Sequence, residues 1–246
     1  MYVGVDGCSD GWIAVCYGDQ GYAGTHLYGN VGDLWNSHSS AQTILIDVPI
    51  GLREDSNTKR PCDDEARTKL GQHRGSSVFP VPVRDAVHAD SYEEAKEIQE
   101  CRTDGSLGTQ SWSIADKIAQ VDTFLRKTEP DATGVIREAH PEVCFWALNS
   151  QSETEYSKTQ QPAAAFWERV SILENADTQV LTHIRKGGSD LDAKVGNDDL
   201  IDAFSLALTA SQETASLQTL PEEWPDGDQG DPTELPMEMV YAEESV

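Results

Sequence analysis

The stretch that decides the fold is MYVGVDGCSDGWIAV (1–15). Two apolar runs flank a short turn rich in Gly, Ser and Asp, and the first run carries one carboxylate, Asp6. Apolar runs of this length around a tight turn are typical of two antiparallel strands. Asp is a common turn residue, but a carboxylate at a strand end can also be held there to do chemistry.

The segments that follow extend this hairpin into a mixed sheet. We predict strands over 2–6, 12–17 and 22–29, and because only short turn signals separate them, they form an antiparallel meander. A weak helix is predicted over 31–39. The run ILIDVPIGL (44–52) is predicted as a strand that is apolar on both faces, as in the centre of a sheet covered on both sides.

The second half of the chain is predicted to be mainly helical. Capping residues and apolar periodicity predict helices over 91–102, 112–127, 162–175 and 197–210, and 133–143 is predicted as a strand that breaks at Pro141. This order of elements predicts an α/β fold of the ribonuclease H-like layered kind. Its mixed sheet would start with the three-strand meander and continue with parallel strands and flanking helices, joined by right-handed crossovers.

Two domain-level features stand out. Residues 1–211 are predicted to form one ribonuclease H-like domain with an arginine-rich, irregular insertion at about 53–90. Residues 212–246 contain ten acidic and no basic residues, and this composition predicts a flexible acidic tail.

The net charge is the strongest global signal. The 246 residues include 43 Asp and Glu against 18 Lys and Arg, a net charge of −25, of which −15 remains on residues 1–211 when the tail is left out. Self-repulsion on this scale destabilises a fold in dilute buffer and is screened by salt. The composition therefore predicts a protein adapted to molar intracellular salt, as in halophilic archaea.

Other composition features exclude several classes. The sequence has neither the roughly 20-residue apolar segment of a membrane span nor the features of a signal peptide, so we expect a cytoplasmic protein without a membrane partner. Five widely spaced cysteines without a C-x-x-C pair disfavour disulfides and structural zinc. His140 and Cys144 could share a helical face, but the other ligands of a zinc site are missing. A homo-oligomer is compatible with the sequence.

Acidic residues recur where a predicted strand ends or a helix begins. Carboxyl ends of parallel strands meet at one edge of a sheet, where ligands bind, and acids three apart on a helix share a face. Clustered carboxylates repel unless cations lie between them, and hard oxygen ligands select Mg²⁺ or Mn²⁺. We predict catalytic roles for Asp6, Asp47, Glu138, Asp199 and Asp202, and metal binding for Asp6, Asp47, Glu138 and Asp202. The alternative is that they are ordinary turn residues and helix-start acids that favour the dipole.

A basic segment stands out against the acidic background. Residues 59–84 hold six of the 18 Lys and Arg residues, and a Gly-Ser-Ser sequence follows Arg74. Backbone and hydroxyl donors beside arginines suit phosphate. The residues predicted to bind substrate or phosphate are Arg53, Arg60, Arg67, Arg74, Ser76, Ser77, Lys117 and His140. The alternative is that these arginines pair with neighbouring acids.

Several separated motifs resemble one family. They are GVDGCSDGW (4–12), DVPIGL (47–52), RPCDDEAR (60–67), GSSVFP (75–80), QSWSIADKIAQVD (110–122), EAHPEVCFW (138–146) and DDLIDAFSLALTA (198–210). Together they are similar to the domain-of-unknown-function family numbered 429, whose members are regarded as predicted ribonuclease H-like nucleases. The DLIDA segment (199–203) also resembles the acidic pair of RuvC-type junction resolvases. The resemblance implies a metal-dependent nuclease with this fold.

Three functions are compatible with these patterns. The first is a phosphodiesterase acting on DNA or RNA, with two Mg²⁺ or Mn²⁺ ions ~3.5–4 Å apart. The second is a non-catalytic scaffold that binds nucleic acid or phosphate. The third, a sugar-kinase or actin-like phosphotransferase, is disfavoured because such proteins need two domains of this kind.

Overall fold

A five-stranded mixed sheet forms the centre of the computed structural model, which describes residues 1–54, 59–191, 194–212 and 217–242. Its strands lie in the order β3-β2-β1-β4-β5. β1, β2 and β3 are antiparallel, whereas β1, β4 and β5 are parallel. The predicted α/β fold, with its meander and parallel strands, is therefore confirmed. The strands are β1 (Tyr2–Cys8), β2 (Gly11–Gly18), β3 (Gly21–Tyr28), β4 (Thr43–Ile46) and β5 (Ile136–Glu138).

Eleven α-helices in the described residues surround the sheet. They are α1 (Val31–His38), α2 (Pro61–Lys69), α3 (Gly71–Arg74), α4 (Arg84–Val87), α5 (Tyr92–Arg102), α6 (Thr109–Ser113), α7 (Ala115–Thr123), α8 (Pro141–Leu148), α9 (Pro162–Ala176), α10 (Val180–Asp190) and α11 (Asn197–Ala210). Short 3-10 turns cover Gly75–Ser77 and Pro130–Ala132, and a π-helical turn, Phe124–Thr128, extends α7.

The two faces of the sheet carry separate cores because side chains alternate along each strand. Val3 and Val5 of β1 lie in one core with Ile118 of α7. Ile13 of β2 lies in the other core with Phe204 of α11. The sheet is thus covered on both sides, as its apolar strands predict.

The contact between α11 and β1 is unusually close. A Cβ atom added at Gly4 would lie 2.0 Å from the backbone nitrogen of Ala207 and 2.3 Å from the carbonyl oxygen of Ala203. Only a residue without a side chain fits between this helix and the strand. Since Asp6 shares the face of Gly4, the close contact brings the acidic start of α11 towards Asp6.

Strand register places two of the predicted site residues together. Val5 pairs with Ile46 in the parallel β1–β4 ladder, and the backbone N–H of Asp47 donates to the carbonyl of Val5 at 2.9 Å. Asp6 and Asp47 are therefore neighbours at the carboxyl ends of adjacent strands. The last residue of β5, Glu138, pairs with Ile46 on the opposite side of β4.

Several element boundaries differ from the predictions. The strand predicted over 44–52 ends at Ile46, since Pro49 cannot donate to a ladder and Gly51 has a φ of +77°. The strand predicted over 133–143 is limited to β5, and Pro141 instead begins α8, where its fixed φ suits the first helical turn. The helix predicted over 112–127 is divided among α6, α7 and the π-helical turn.

Over its described residues, the arginine-rich insertion predicted at about 53–90 is more ordered than expected, and residues 55–58 lie outside the described ranges. It contains α2, α3 and α4, and α2 begins with Pro61 in its first turn, followed by Asp63 and Asp64. Acids at the start and bases at the end of α2 match the helix dipole.

The segment predicted as a flexible tail is packed over residues 217–242. It forms an antiparallel pair, β6 (Leu217–Leu220) and β7 (Met239–Ala242). Leu220 and Val240 are fully buried. The acids of this segment act as counter-ions, because Asp228 pairs with Arg53. The amino-acid composition of the segment does not reveal this role. Residues 213–216 and 243–246 of the predicted tail lie outside the described residues.

Within the described ranges, none of the helices combines the length and the hydropathy that a bilayer crossing requires.

Candidate metal-binding site

A cavity of about 370 Å³ opens at the carboxyl ends of β1 and β4. Asp6, Asp47 and Asp199 line it, and Trp12 and Lys117 are also part of its wall. We call it the carboxylate cavity. It therefore brings together acids from two strand ends and one helix start, as the sequence predicts.

Asp6 lies in the middle of this group. Its side chain is 8% exposed, and its Oδ1 accepts a hydrogen bond from the Gly7 N–H at 2.7 Å. Burial, followed by repulsion from Asp47, Asp202 and Asp199, raises the pKa of Asp6 well above its ordinary value. The geometry thus disfavours a full set of negative charges unless a cation is added.

Asp47 is in the same electrostatic situation. Burial raises the pKa of this carboxyl group, and repulsion from Asp202 raises it further. Over the described part of the chain, neither Asp6 nor Asp47 forms a salt bridge with a lysine or arginine. The ammonium group of Lys158 lowers the pKa of both carboxyl groups, but it bonds to Asp202 instead.

Helix α11 contributes two acids with different partners. Asp199 is half-buried, and its Oδ2 accepts from the Gly196 N–H at 3.2 Å, which caps the helix. Asp202, one turn later, is buried. Lys158 donates to both oxygens of Asp202, at 2.7 and 2.6 Å. Asp198, on the same turn as Asp199, is exposed to solvent.

Sequence reasoning missed the residues behind Asp202. Lys158 also lies 3.5 Å from Glu142, whose Oε1 accepts from Arg169 at 2.6 Å. Burial opposes ionisation, but Lys158 and Arg169 together lower the pKa of Glu142. One signal could have indicated this network: Arg169 lies in the mostly apolar stretch AAAFWERV of α9, where a buried charged side chain needs a partner.

Glu138 does not join the carboxylates of the cavity. Its Oε1 accepts from Arg60 at 3.1 Å, its Oε2 pairs with the same guanidinium group, and the Ile50 N–H donates to Oε2 at 2.6 Å. Burial raises the pKa of Glu138 to about 7 in spite of Arg60. The structure therefore places the predicted ligand Glu138 in an ion pair, because β5 directs its end towards α2.

A second group of possible metal ligands lies elsewhere in the structure. One sulfur or carboxylate oxygen from each of Cys62, Asp63 and Glu138 lies within 4.8 Å of the others. A guanidinium group already supplies positive charge to this cluster, because Arg60 donates hydrogen bonds to Asp63, at 2.9 Å, and to Glu138. Burial raises the pKa of the Cys62 thiol well above its ordinary value, which disfavours the thiolate that metals bind. The cluster is therefore an ion-paired core element rather than a metal site.

The predicted phosphate-binding arginines have acceptors within the protein. Arg53 forms a two-point pair with Asp228, at 2.7 and 2.5 Å. Arg67 donates to the Val78 carbonyl at 2.9 Å. The Arg53–Asp228 pair fits the alternative that these arginines pair with acids, whereas Arg67 here bonds to a backbone carbonyl. In the same segment, Arg67 also pairs with Asp64, Arg74 donates to the carbonyls of Thr154 and Glu155, Ser77 donates to the Arg74 carbonyl, and Ser76 is exposed.

Lys117 is the predicted phosphate contact that lines the carboxylate cavity. Its ammonium group donates to the Gly11 carbonyl and lies 4.6 Å from the centre of the Trp12 ring. Burial lowers the pKa of Lys117, while Cys8 and Asp6 raise it.

His140 instead caps α8. Its Nδ1 accepts from the Glu142 N–H at 3.2 Å. Burial lowers its pKa to about 4, so it is a neutral structural group at pH 7.

Comparison with known proteins adds one finding to this geometry. A family model described as "Protein of unknown function (DUF429)" matches residues 4–225. The chain belongs to this family. The residues matched by the DUF429 model include every acid of the carboxylate cavity. They also include the ion-paired residues behind it, which are Glu142, Lys158, Arg169 and Asp202. No curated protein and no solved structure matches the chain.

Proposed function

We propose that this DUF429 protein is a metal-dependent phosphodiesterase that acts on nucleic acid, with Mg²⁺ or Mn²⁺ bound in the carboxylate cavity. One observation carries the proposal. Asp6 and Asp47 are held side by side at two strand ends, next to Asp199, in a position where burial and mutual repulsion disfavour their charged forms.

The donor set fits a hard divalent cation. Asp6, Asp47 and Asp199 offer only carboxylate oxygens, which is the ligand type that Mg²⁺ and Mn²⁺ prefer. Asp6 and Asp47 are fixed by strand backbone and Asp199 by a helix start, so the ligands are preorganised. A ribonuclease H-like nuclease, the class that the motifs indicate, would use acids at these positions.

The side chains of the cavity suggest a division of roles. When bound, the ion would activate a water molecule and polarise a phosphodiester oxygen. Asp6 and Asp47 would hold the ion, and Asp199 would complete the ligand set from α11. Lys117, on the wall of the cavity, would pair with a phosphate oxygen, and the ring of Trp12 keeps its ammonium group in place.

The test measures metal binding and cleavage in parallel. Mn²⁺ binding is measured by calorimetry in molar KCl, and cleavage with fluorescent DNA and RNA, including branched forms. Asp6→Asn and Asp47→Asn are expected to lower Mn²⁺ affinity and cleavage by at least about 100-fold, because each removes a directly bonded ligand. Asp198→Asn is the matched control: this exposed acid of α11 should leave both properties unchanged.

The outcomes separate the competing functions. If Asp6→Asn and Asp47→Asn bind Mn²⁺ like the wild type, the metal site is wrong. Mn²⁺ binding that depends on both acids, without cleavage of any substrate, would indicate the non-catalytic scaffold.

A further inference from the structure

The ammonium group of one lysine lies between two carboxylates behind the carboxylate cavity. Lys158 Nζ is 2.7 and 2.6 Å from the two oxygens of Asp202 and 3.5 Å from Glu142. An ammonium ion between two carboxylates supplies the same kind of neutralisation as a metal ion between them. Both oxygens of the predicted ligand Asp202 therefore already have a cation, as those of Glu138 have in Arg60.

The surroundings of Lys158 hold it in place. Its second carboxylate partner, Glu142, is buried and is fixed in turn by Arg169, at 2.6 Å, and by the hydroxyl of Thr154, at 3.1 Å. Arg169 is itself 2% exposed. Burial opposes the charge of Lys158, but Asp202 and Glu142 raise its pKa above the ordinary value, so it is charged at neutral pH. Because its carboxylate partners are themselves held by buried ion pairs, Lys158 has a fixed position, unlike a surface lysine with a mobile side chain.

The charges agree with a single divalent ion. Apart from Glu138, which has its own cation in Arg60, five carboxylates interact around the cavity and its back wall: Asp6, Asp47, Asp199, Asp202 and Glu142. Lys158 and Arg169 offset two of these charges, and Lys117 at the cavity wall offsets a third. One divalent cation neutralises the two that remain, whereas two ions would leave an excess of positive charge in a largely buried place.

We infer that Lys158 is a resident cation that replaces the second metal ion, so that the site binds one divalent ion through Asp6, Asp47 and Asp199. This inference rests on the proposed function, because it assumes that the carboxylate cavity binds a metal. Lys158 is a positioning residue: it holds Asp202 and Glu142 as its own ligands and keeps them from a second ion. The two-ion site that the sequence predicts is thereby reduced to a one-ion site.

The test counts ions in the full-length, metal-stripped protein in molar KCl. Calorimetry with Mn²⁺ is expected to give one ion per wild-type chain. Lys158→Met removes the charge while keeping the length of the side chain, which frees Asp202 and Glu142, and should raise the count to two. Lys158→Arg should keep it at one. Lys96→Met is the matched control, since Lys96 is an exposed lysine whose carboxylate partner, Glu100, lies 3.8 Å away on α5.

A spectroscopic measurement keeps the inference testable if Lys158→Met does not fold. Electron paramagnetic resonance of Mn²⁺ distinguishes an isolated ion from a coupled pair ~3.5–4 Å apart. The wild type should give an isolated-ion spectrum up to saturation. Two ions or a coupled spectrum in the wild type, or one ion in a folded Lys158→Met variant, would overturn the inference and leave the metal site intact. An absence of Mn²⁺ binding in the wild type would overturn the proposed function itself.

Discussion

Gly4→Ala should disturb both the fold and the metal site, although residue 4 does not line the carboxylate cavity. The new Cβ would lie 2.0 Å from the Ala207 nitrogen, where ordinary contact begins at 3.4 Å. The opposing atoms belong to helix backbone, which cannot rotate away like a side chain. Helix α11 must therefore move away from β1 by about 1.4 Å, the difference between these two distances.

Both consequences have a measurable size. Overpacking of this kind costs about 3 kcal/mol of the free energy of unfolding, which for a chain of this length lowers the Tm by roughly 6–12 °C. The movement also carries Asp199 and Asp202 away from Asp6. Misplaced supporting groups typically weaken metal affinity by roughly 10-fold to 100-fold, and Mn²⁺ binding should fall in that range.

The assay compares Gly4→Ala with Gly18→Ala. Gly18 also lies in a strand, at the end of β2, but a Cβ there would meet no atom within 4 Å. Thermal melting by circular dichroism and Mn²⁺ calorimetry, both in molar KCl, give the two quantities. Equal Tm values for the two variants would refute the close contact between α11 and β1. A lower Tm with unchanged Mn²⁺ affinity would refute the idea that this contact positions the acids.

Three further predictions concern stability. Since burial raises the pKa of Glu138 from 4.5 to about 7, the folded protein keeps a proton that the unfolded chain loses; the free energy of unfolding should fall by up to about 3 kcal/mol as the pH rises through this window. Urea unfolding with EDTA would show this slope, and an equal slope in Glu138→Gln would contradict it. Arg169→Met should cost about 3–5 kcal/mol in chemical denaturation because it removes a cation from buried Glu142; adding Glu142→Gln should recover part of that loss, and no recovery would argue against the ion pair. The dispersed negative charge predicts loss of structure below ~0.5 M salt, whereas an undiminished Tm at about 20 mM NaCl would exclude salt adaptation.

Local patterns predicted much of the fold. The meander, the parallel strand before Asp47 and helix α11 all have strong periodicity between clear turn signals, so their positions follow from short-range physics. The packing of the C-terminal segment could not be predicted from local patterns. Its acids suggest solvation, but Asp228 is the counter-ion of Arg53, a contact between residues far apart in the chain.

Only those site residues whose positions follow from the backbone topology could be predicted from the sequence. Asp6 and Asp47 meet because parallel strands end at one edge of the sheet. Glu138 also ends a parallel strand, but its side chain pairs with Arg60. The position of a residue at a strand end does not determine the direction in which its side chain points. Lys158 could not be predicted because it lies outside the regular elements, and only the three-dimensional structure shows that it reaches Asp202.

The packed C-terminal segment has a consequence for protein synthesis. Every acid and every lysine of the site has left the ribosome well before β7, yet Val240 of β7 belongs to the same apolar cluster as Leu45 of β4 and Leu206 of α11. A nascent chain that ends before Asp228 would also hold Arg53 without its carboxylate partner. The wall behind the central strands therefore closes only once β7 has been synthesised and has emerged from the ribosome.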